Sequence, residues 1–335
     1  MAQLYVTDHQ AKVGIDNARI KVEYADGLVR TLPIESIEGI TIMGNAQVTT
    51  NCIAECLKRG IHIQYYSSKG LYYGKLSSTQ HVNTERQRAQ ISLTEDKEYS
   101  LALAKIILKA KINNQIVLLR RYRNKGDIET EEQIRFMKIL EYKIDKALTI
   151  AEITGYEGSA AKAYFKSLNS LVNVPEFKFK GRNRRPPRDR FNSMLSLGYA
   201  LVMNDMYGAI EGRGLNPFFG FIHQDKEKHP TLASDLMEEW RAVIVDSVVM
   251  SLINGHEIKA SSFFTDEETG GVFLDKEGLK IFIAKTEKRF NTSMKYLTYL
   301  DYPVSFRKGI DMQVLQLCKA IEEKDPQLYQ PIFIR

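Results

Sequence analysis

The beginning of the chain places apolar and polar side chains alternately in short runs, which is the pattern of half-buried β-strands. Such runs are found at residues 4–6, 19–24, 40–43, 61–66 and 71–76. Thr49 can cap a short helix whose apolar positions include Ile53 and Cys56, and Gly60 is a natural stop for it. The pattern therefore predicts a small β-rich domain over residues 1–83 with a helix inside it.

The rest of the chain changes to the helical period, with apolar residues recurring every three or four positions. A long helix is predicted from residue 98, and others are predicted at 130–148, 149–171, 191–212, 276–292 and 310–324. A loop or small hairpin is predicted at 265–275, where two glycines are adjacent. Residues 84–97 are polar and weakly patterned, so they are predicted to form a linker to a helical domain at 98–335. The predicted fold class is α+β, with a small β domain followed by a larger helical one.

Composition is that of an ordinary soluble protein, since 44% of the 335 residues are hydrophobic and 26% are charged. The sequence has neither an apolar run long enough to span a membrane nor a signal-peptide pattern. Its three cysteines lack the spacing of a disulfide framework or a zinc site, so they are expected to be reduced, buried thiols in the cytoplasm. Without a P-loop or a Rossmann glycine pattern, the sequence does not indicate ATP or dinucleotide use.

The net charge of +6 is modest, but the positive residues are clustered. Residues 102–125 contain lysines and arginines and no acidic residue, and arginine dominates residues 178–190, which we call the basic segment. Guanidinium groups match phosphate geometry, and the neighbouring Phe177 and Phe179 could stack on bases. Both regions are therefore predicted to face a nucleic-acid backbone, and the alternative is that each is simply a solvated basic surface.

Residues 220–241 combine a histidine with several carboxylates. His223 follows an apolar run, and a polar stretch then leads into a predicted helix. On that helix Asp235 and Glu238 are neighbours on one face, and Glu239 lies four positions from Asp235. An imidazole with two or three carboxylates suits a divalent cation such as Mn²⁺ or Mg²⁺. The ordinary alternative is a structural histidine and acidic residues that offset the helix dipole.

Glu157 is a further acidic residue in an unusual setting, because it lies inside a predicted helix among small residues. Its neighbours include Gly155, Gly158, Ser159, Ala160 and Ala161. Small side chains would let a backbone or a ligand approach the carboxylate closely. Glu157 is therefore a candidate functional residue.

Together these residues resemble the CRISPR-associated integrases, the metal-dependent DNA endonucleases and integrases of the spacer-acquisition complex, over nearly the full length. In the β-rich domain the resemblance rests on Leu32-Pro33, Ile40 through Gly44, Thr49-Thr50 and Gly60-Ile61. In the helical domain it rests on Glu157-Gly158, Arg184 through Arg190, Asn192, Leu195, Ser196, Gly198, Tyr199, Gly220 through His223, and Asp235 through Glu238.

For fold and partners, the resemblance implies a β-sandwich dimerisation domain, an all-α catalytic domain and a homodimer. It implies that two such dimers assemble with a dimer of the small ferredoxin-like CRISPR-associated acquisition partner into a heterohexamer. The substrates it implies are double-stranded and branched DNA. The basic residues expected to position the DNA backbone without reading its sequence are Lys105, Lys109, Arg184, Arg185 and Arg188.

For the site, the resemblance implies Mg²⁺ or Mn²⁺ held by Glu157, His223 and Glu238. Asp235 matches a second acidic position beside the metal that supports catalysis. Family members differ in whether the third ligand is Asp or Glu, so the choice between Glu238 and Glu239 stays open.

The resulting hypothesis is an integrase of antiviral defence that inserts short foreign DNA fragments into a CRISPR repeat array. In this reaction the 3′-OH of the fragment attacks a phosphodiester of the array directly. A second hypothesis is a stand-alone metal nuclease acting on branched DNA or RNA. A third is a non-catalytic nucleic-acid scaffold in which Glu157 is structural. Metal dependence separates the enzymes from the scaffold, because phosphate contacts alone survive chelation.

Overall fold

The computed structural model describes residues 2–334 and separates them into two compact units, one ending at His81 and the other beginning at Val82. The described part of the first unit contains two four-stranded sheets and the helix α1 (Thr50–Lys58). The strands are β1 (Ala2–Val6), β2 (Lys12–Asp16), β3 (Arg19–Glu23), β4 (Val29–Pro33), β5 (Ile37–Met43), β6 (Gln47–Val48), β7 (His62–Tyr66) and β8 (Tyr72–Leu76). One sheet has the order β1-β5-β7-β8 and the other has the order β4-β3-β2-β6.

A single apolar core joins both sheets and α1. Its members include Val6, Val13, Ile20, Val22, Ile40, Ile42, Ile63, Cys52 and Cys56. The helix begins where it does because the Thr49 hydroxyl accepts a hydrogen bond from the Cys52 N–H at 3.3 Å. The β-strand character predicted for the N-terminal region is thus confirmed, and the cysteines are free and buried as expected.

The second unit is mainly helical, which confirms the α+β class. Its helices are α2 (Thr84–Glu95), α3 (Lys97–Tyr122), α4 (Ile128–Lys146), α5 (Ile150–Ser170), α6 (Arg190–Gly212), α7 (Thr231–Met237), α8 (Ser247–Asn254), α9 (Lys276–Phe290) and α10 (Phe306–Glu322). Strand β9 (Phe263–Thr265) pairs with β10 (Val272–Leu274) as the predicted hairpin, and β11 (Ser293–Met294) pairs with β12 (Val304–Ser305). Across the residues that the structure describes, no helix combines the length and the apolar character needed to cross a membrane.

The segment predicted as a linker, residues 84–97, is largely the helix α2 and belongs to the second unit. Arg86 forms an ion pair with α10, and Gln90 is fully buried. The Gln90 amide donates to the backbone carbonyls of Asn216 and Phe219, each at 2.8 Å. Polar side chains therefore dock this helix through hydrogen bonds, so its sequence lacks the apolar period by which a packed helix is usually recognised.

Helix α7 begins directly after Pro230 and is buried along its whole length. A π-helical turn, Arg241–Asp246, follows it and leads into α8. π-Helical turns are rare in proteins, and those that do occur are often found at functional sites. Trp240 precedes the turn, and it is the only tryptophan of the chain. Its indole N–H donates to Gln313 at 2.7 Å in the interior, so the segment is firmly anchored.

Candidate active site

Two of the predicted ligands meet at a lysine in the interior of the helical unit. Lys111 of α3 places its Nζ 2.5 Å from Glu157 Oε1 and 2.6 Å from Glu238 Oε2. Only 9% of the lysine side chain is exposed. Burial acts to lower the pKa of Lys111, but the carboxylates of Glu238 and Glu157 outweigh it and the pKa is raised. The structure thus brings Glu157 and Glu238 together on one ammonium group.

Glu238 carries its negative charge in a buried position. Arg241 Nε lies 3.0 Å from Oε2, the same oxygen that faces Lys111. Burial alone would raise the pKa of Glu238, but the cations of Arg241 and Lys111 lower it to about 2. Among the described residues, however, Oε2 finds no hydrogen-bond partner. The carboxylate is therefore held by charge rather than by directed hydrogen bonds.

His223 is oriented by the buried carboxylate of Asp235. The ring Nδ1 lies 2.6 Å from Asp235 Oδ1, and Oδ2 accepts the N–H groups of Phe221 at 2.7 Å and Ile222 at 2.9 Å. An ionised carboxylate can only accept, so in the neutral ring Nδ1 carries the proton and Nε2 keeps a lone pair. The hydrogen bond to Asp235 raises the pKa of His223 against partial desolvation of the ring, and the charge of Glu238 acts in the same direction as the hydrogen bond.

Gly220 allows the backbone before His223 to lie close to the Asp235 carboxylate. A Cβ at this position would lie 2.6 Å from Asp235 Oδ2 and 2.7 Å from Thr231 Cγ2. Any larger residue would therefore push the backbone away from the carboxylate that it now contacts. The glycine beside the histidine, visible in the sequence, is thus part of the way in which His223 is held.

Glu239 points away from this cluster, toward a segment near residue 330. Its Oε1 accepts the Tyr329 hydroxyl and its Oε2 accepts the Ile332 N–H, both at 2.6 Å. Burial raises the pKa of Glu239 to about 8 in spite of these hydrogen bonds. The geometry therefore favours Glu238 over Glu239 as the partner of Glu157.

The raised pKa of Glu239 predicts a stability that depends on pH. The folded protein retains this proton up to about pH 8, whereas an unfolded chain releases it near pH 4.5. The stabilisation is complete below the unfolded pKa and is lost as the pH rises through the folded pKa, by up to about 1.4 kcal/mol per pH unit. Glu239→Gln removes the titrating group and is expected to flatten this decline. The measurement is the urea midpoint from about pH 5 to about pH 8, followed by the fluorescence of Trp240; equal slopes in both proteins would contradict the prediction.

A second buried network supports Arg241. Asp246, at the end of the π-helical turn, accepts hydrogen bonds from the hydroxyls of Tyr164 and Tyr199, each at 2.6 Å. The Arg241 guanidinium lies 4.6 Å from the centroid of the Tyr199 ring. Burial raises the pKa of Asp246 to about 6 against the effect of the tyrosine hydrogen bonds. The π-helical turn therefore contacts Tyr199 through both its first residue, Arg241, and its last residue, Asp246.

The basic segment reaches the same tyrosine through Arg182, whose guanidinium lies 5.3 Å from the Tyr199 ring centroid. Its three predicted DNA-binding residues are exposed: Arg184, Arg185 and Arg188. Burial is the main cause of the lowered pKa of His229, and the charges of His223 and Arg185 lower this pKa further. The positive charge of the basic segment therefore acts on His229, in the loop after His223.

The prediction that Phe177 and Phe179 stack on bases is wrong. Phe179 stacks on Phe191 of α6 with ring centroids 4.0 Å apart, and Phe177 packs edge-on against Phe263. Both predicted rings are buried. Alternate side chains of an extended segment face opposite sides, so the phenylalanines enter the core while Lys178 between them and Lys180 after them are exposed.

The two predicted DNA-binding lysines of α3 contact the end of α4. Lys109 Nζ pairs with Asp145 Oδ1 at 2.8 Å, and Lys105 Nζ donates to the Asp145 carbonyl at 3.0 Å. Both line a surface cavity that Phe333 also borders. A phosphate group would have to compete with Asp145 for Lys109.

Three residues of the site are not predicted from the sequence: Lys111, Arg241 and Asp246. The sequence does mark Lys111 as unusual, because a charged residue lies one turn from Ile107 on the apolar stripe of its helix. Arg241 lies three positions from Glu238, a spacing that pairs charges on a helix. Asp246 interrupts an apolar run, and a buried carboxylate requires partners.

Comparisons with known proteins find relatives over the whole chain. Residues 4–288 match the family described as CRISPR associated protein Cas1. The CRISPR-associated endonuclease Cas1 of Mycobacterium tuberculosis is 38% identical over 326 residues, which cover 97% of this chain and 96% of that protein. A casposase bound to integration product has a similar fold, with a TM-score of 0.86 and 22% identity over 100% of this chain and 95% of the other. A Cas6-RT-Cas1–Cas2 complex has a TM-score of 0.84 and 24% identity over 98% of this chain and 36% of the other.

Proposed function

The chain belongs to the CRISPR-associated Cas1 family, and from this premise we propose that it is a divalent-metal-dependent DNA endonuclease and integrase. It inserts short foreign DNA fragments into a CRISPR repeat array in antiviral defence. The relatives named endonucleases support the nuclease class. The casposase of similar fold, described as bound to an integration product, supports joining as well as cutting.

The observation that carries the proposal is the convergence of two carboxylates, Glu157 and Glu238, on one buried cation. A protein interior accepts such charges only when opposite charge balances them. Glu238 Oε2 is buried against the cations of Lys111 and Arg241, and His223 has a ring nitrogen that Asp235 does not occupy. Two hard carboxylate groups and an imidazole suit Mg²⁺ or Mn²⁺. These residue types fit the metal, but among the residues that the structure describes no three of them are arranged as a ready-made metal site, because the Lys111 ammonium lies between Glu157 and Glu238.

Glu157, His223 and Glu238 would hold the metal, and Asp235 would keep the imidazole in one tautomer and orientation. When bound, a divalent cation supplies Lewis-acid stabilisation of the charge on the phosphoryl oxygens. Strand transfer is a direct transesterification. The 3′ oxygen of the fragment loses its proton to solvent and forms a bond to phosphorus, while the bond to the 3′ oxygen of the repeat strand breaks and leaves a 3′-OH. Hydrolysis is the same displacement with water as the nucleophile.

DNA binding and assembly complete the proposal. The residues that would position the phosphate backbone are Lys105, Lys109, Arg184, Arg185 and Arg188. We propose a homodimer formed through the β-rich domain and a heterohexamer in which two such dimers flank a dimer of the small ferredoxin-like partner. The Cas1–Cas2 composition of a complex of similar fold supports a Cas partner. The proposed location is the cytoplasm, where free thiols stay reduced.

A strand-transfer assay tests this function. Purified protein, with and without its small partner, is mixed with a supercoiled repeat plasmid and a labelled short duplex that has a free 3′-OH. We expect the label to join the plasmid in Mg²⁺ or Mn²⁺ and not in EDTA. DNA binding is expected to survive EDTA and to weaken with salt, because it depends on phosphate contacts. Cutting without joining would favour a plain nuclease, and binding without any metal-dependent change to DNA would favour a scaffold.

A further inference from the structure

Lys111 already provides the candidate metal centre with a cation. Its ammonium donates to Glu157 at 2.5 Å and lies 2.6 Å from Glu238, and it is almost completely removed from solvent. A buried ammonium is costly unless opposite charges surround it. These carboxylates meet that requirement, and they are the same two that would bind a metal.

The charges of the cluster balance without a metal. Glu157 and Glu238 contribute two negative charges, and Lys111 and Arg241 contribute two positive charges. The Asp235 carboxylate beside His223 offsets one charge, so a divalent cation entering this arrangement would still leave an excess of positive charge at a largely buried site. Such an excess is strongly unfavourable at low dielectric, so one resident cation has to leave before a metal can bind tightly.

Of the two resident cations, Lys111 is the one that can leave. Arg241 stacks over Tyr199 in addition to its contact with Glu238, so its planar group is held from two sides. The ammonium of Lys111 is a point charge on a flexible four-carbon stem, and its contacts are with the two carboxylates. Withdrawing it would free one oxygen of Glu157 and one of Glu238.

We propose that Lys111 is an internal counter-ion that closes the metal centre in the metal-free protein and is displaced when a divalent cation binds. The affinity for metal is then set by competition with this ammonium. The inference rests on the proposed metal-dependent function, but it concerns what fills the site before metal arrives.

The test is Mn²⁺ binding, measured by calorimetry on the full chain and on Lys111→Gln. The variant is expected to bind Mn²⁺ about tenfold more tightly or better, because a unit of repulsion next to the metal is removed. Its thermal midpoint without metal is expected to fall and to recover with Mn²⁺, because the buried carboxylates lose their counter-ion. The matched control is Lys166→Gln. Lys166 lies on the same helix as Glu157, and the substitution removes the same charge from an exposed ion pair with Glu129 of α4. It is expected to leave Mn²⁺ affinity unchanged.

Unchanged or weaker Mn²⁺ binding by Lys111→Gln would overturn the inference while leaving the proposed function intact. If neither the unmodified protein nor Lys111→Gln binds Mn²⁺, the metal site itself is wrong, and both proposals fall.

A second measurement uses the unmodified protein, in case Lys111→Gln does not fold. An amine-reactive reagent is applied with and without saturating Mn²⁺, and mass spectrometry quantifies the labelling of each lysine. Lys111 is expected to be protected without metal and labelled with it, whereas Lys166 should be labelled equally in both conditions. Protection of Lys111 that persists in saturating Mn²⁺ would overturn the displacement.

Discussion

Replacing Glu157 with glutamine is expected to reduce strand transfer by about three orders of magnitude, while DNA affinity changes by no more than about twofold. Glutamine keeps the shape of the side chain and its contact with Lys111, but it removes half of the carboxylate charge that converges on that residue. A neutral amide is a poor ligand for Mg²⁺, so the metal would no longer be held in place. Glu157→Ala and His223→Ala are expected to have the same effect on joining.

The measurements are the joining assay and a gel-shift titration carried out on the same preparations. The control is Glu129→Gln, which removes a carboxylate from an exposed pair with Lys166 and should retain full joining activity. Joining retained by Glu157→Gln would remove this residue from the site. Loss of DNA binding together with joining would instead indicate that Glu157 has a structural role.

The second large effect is expected for Asp235→Asn, which should lower strand transfer and Mn²⁺ affinity by about 10- to 100-fold. The Asp235 carboxylate accepts two backbone N–H groups on Oδ2 and the imidazole Nδ1 on Oδ1. An asparagine has only one accepting oxygen. If that oxygen faces the backbone, the amide NH₂ faces His223 and favours the tautomer with the proton on Nε2, which can no longer bind a metal.

Circular dichroism and Mn²⁺ calorimetry of Asp235→Asn separate orientation from misfolding. The matched control is Asp225→Asn, which neutralises an exposed carboxylate in the loop after His223. We expect a folded Asp235→Asn protein with weakened metal binding and a normal control. Unchanged Mn²⁺ affinity in a folded Asp235→Asn protein would show that Asp235 does not act through His223.

The architecture is largely visible in the sequence because burial imposes a period on each element. The alternating runs before residue 80 and the three-to-four spacing after residue 98 correspond to the observed strands and helices. Helix α2 does not show such a period, because polar contacts of Gln90 and Arg86 hold it in place rather than an apolar stripe. A helix of that kind can be identified only when its distant partners are known.

Single site residues could be selected from the sequence, but their arrangement could not. Glu157, His223 and Glu238 stand out by residue type and by family resemblance. That Lys111 connects two of them depends on how α3 packs against α5 and on the end of α7, which no local pattern encodes. The same limit explains the error at Phe179, whose place between basic residues suggested a ligand-facing ring although it stacks on Phe191 in the core.

The hydrogen bond between Glu239 and Tyr329 also has a consequence for protein synthesis. Glu239 lies next to Glu238, and its hydroxyl partner is encoded 90 residues later. At about 5–20 residues per second, the ribosome needs on the order of ten seconds to supply that partner. During this interval the nascent helical unit carries an acid that its core cannot yet accommodate. The segment between α7 and the π-helical turn, which bears Glu238 and Glu239, would therefore reach its final packing late in translation, and the emerging chain would be exposed to proteases and to aggregation until then.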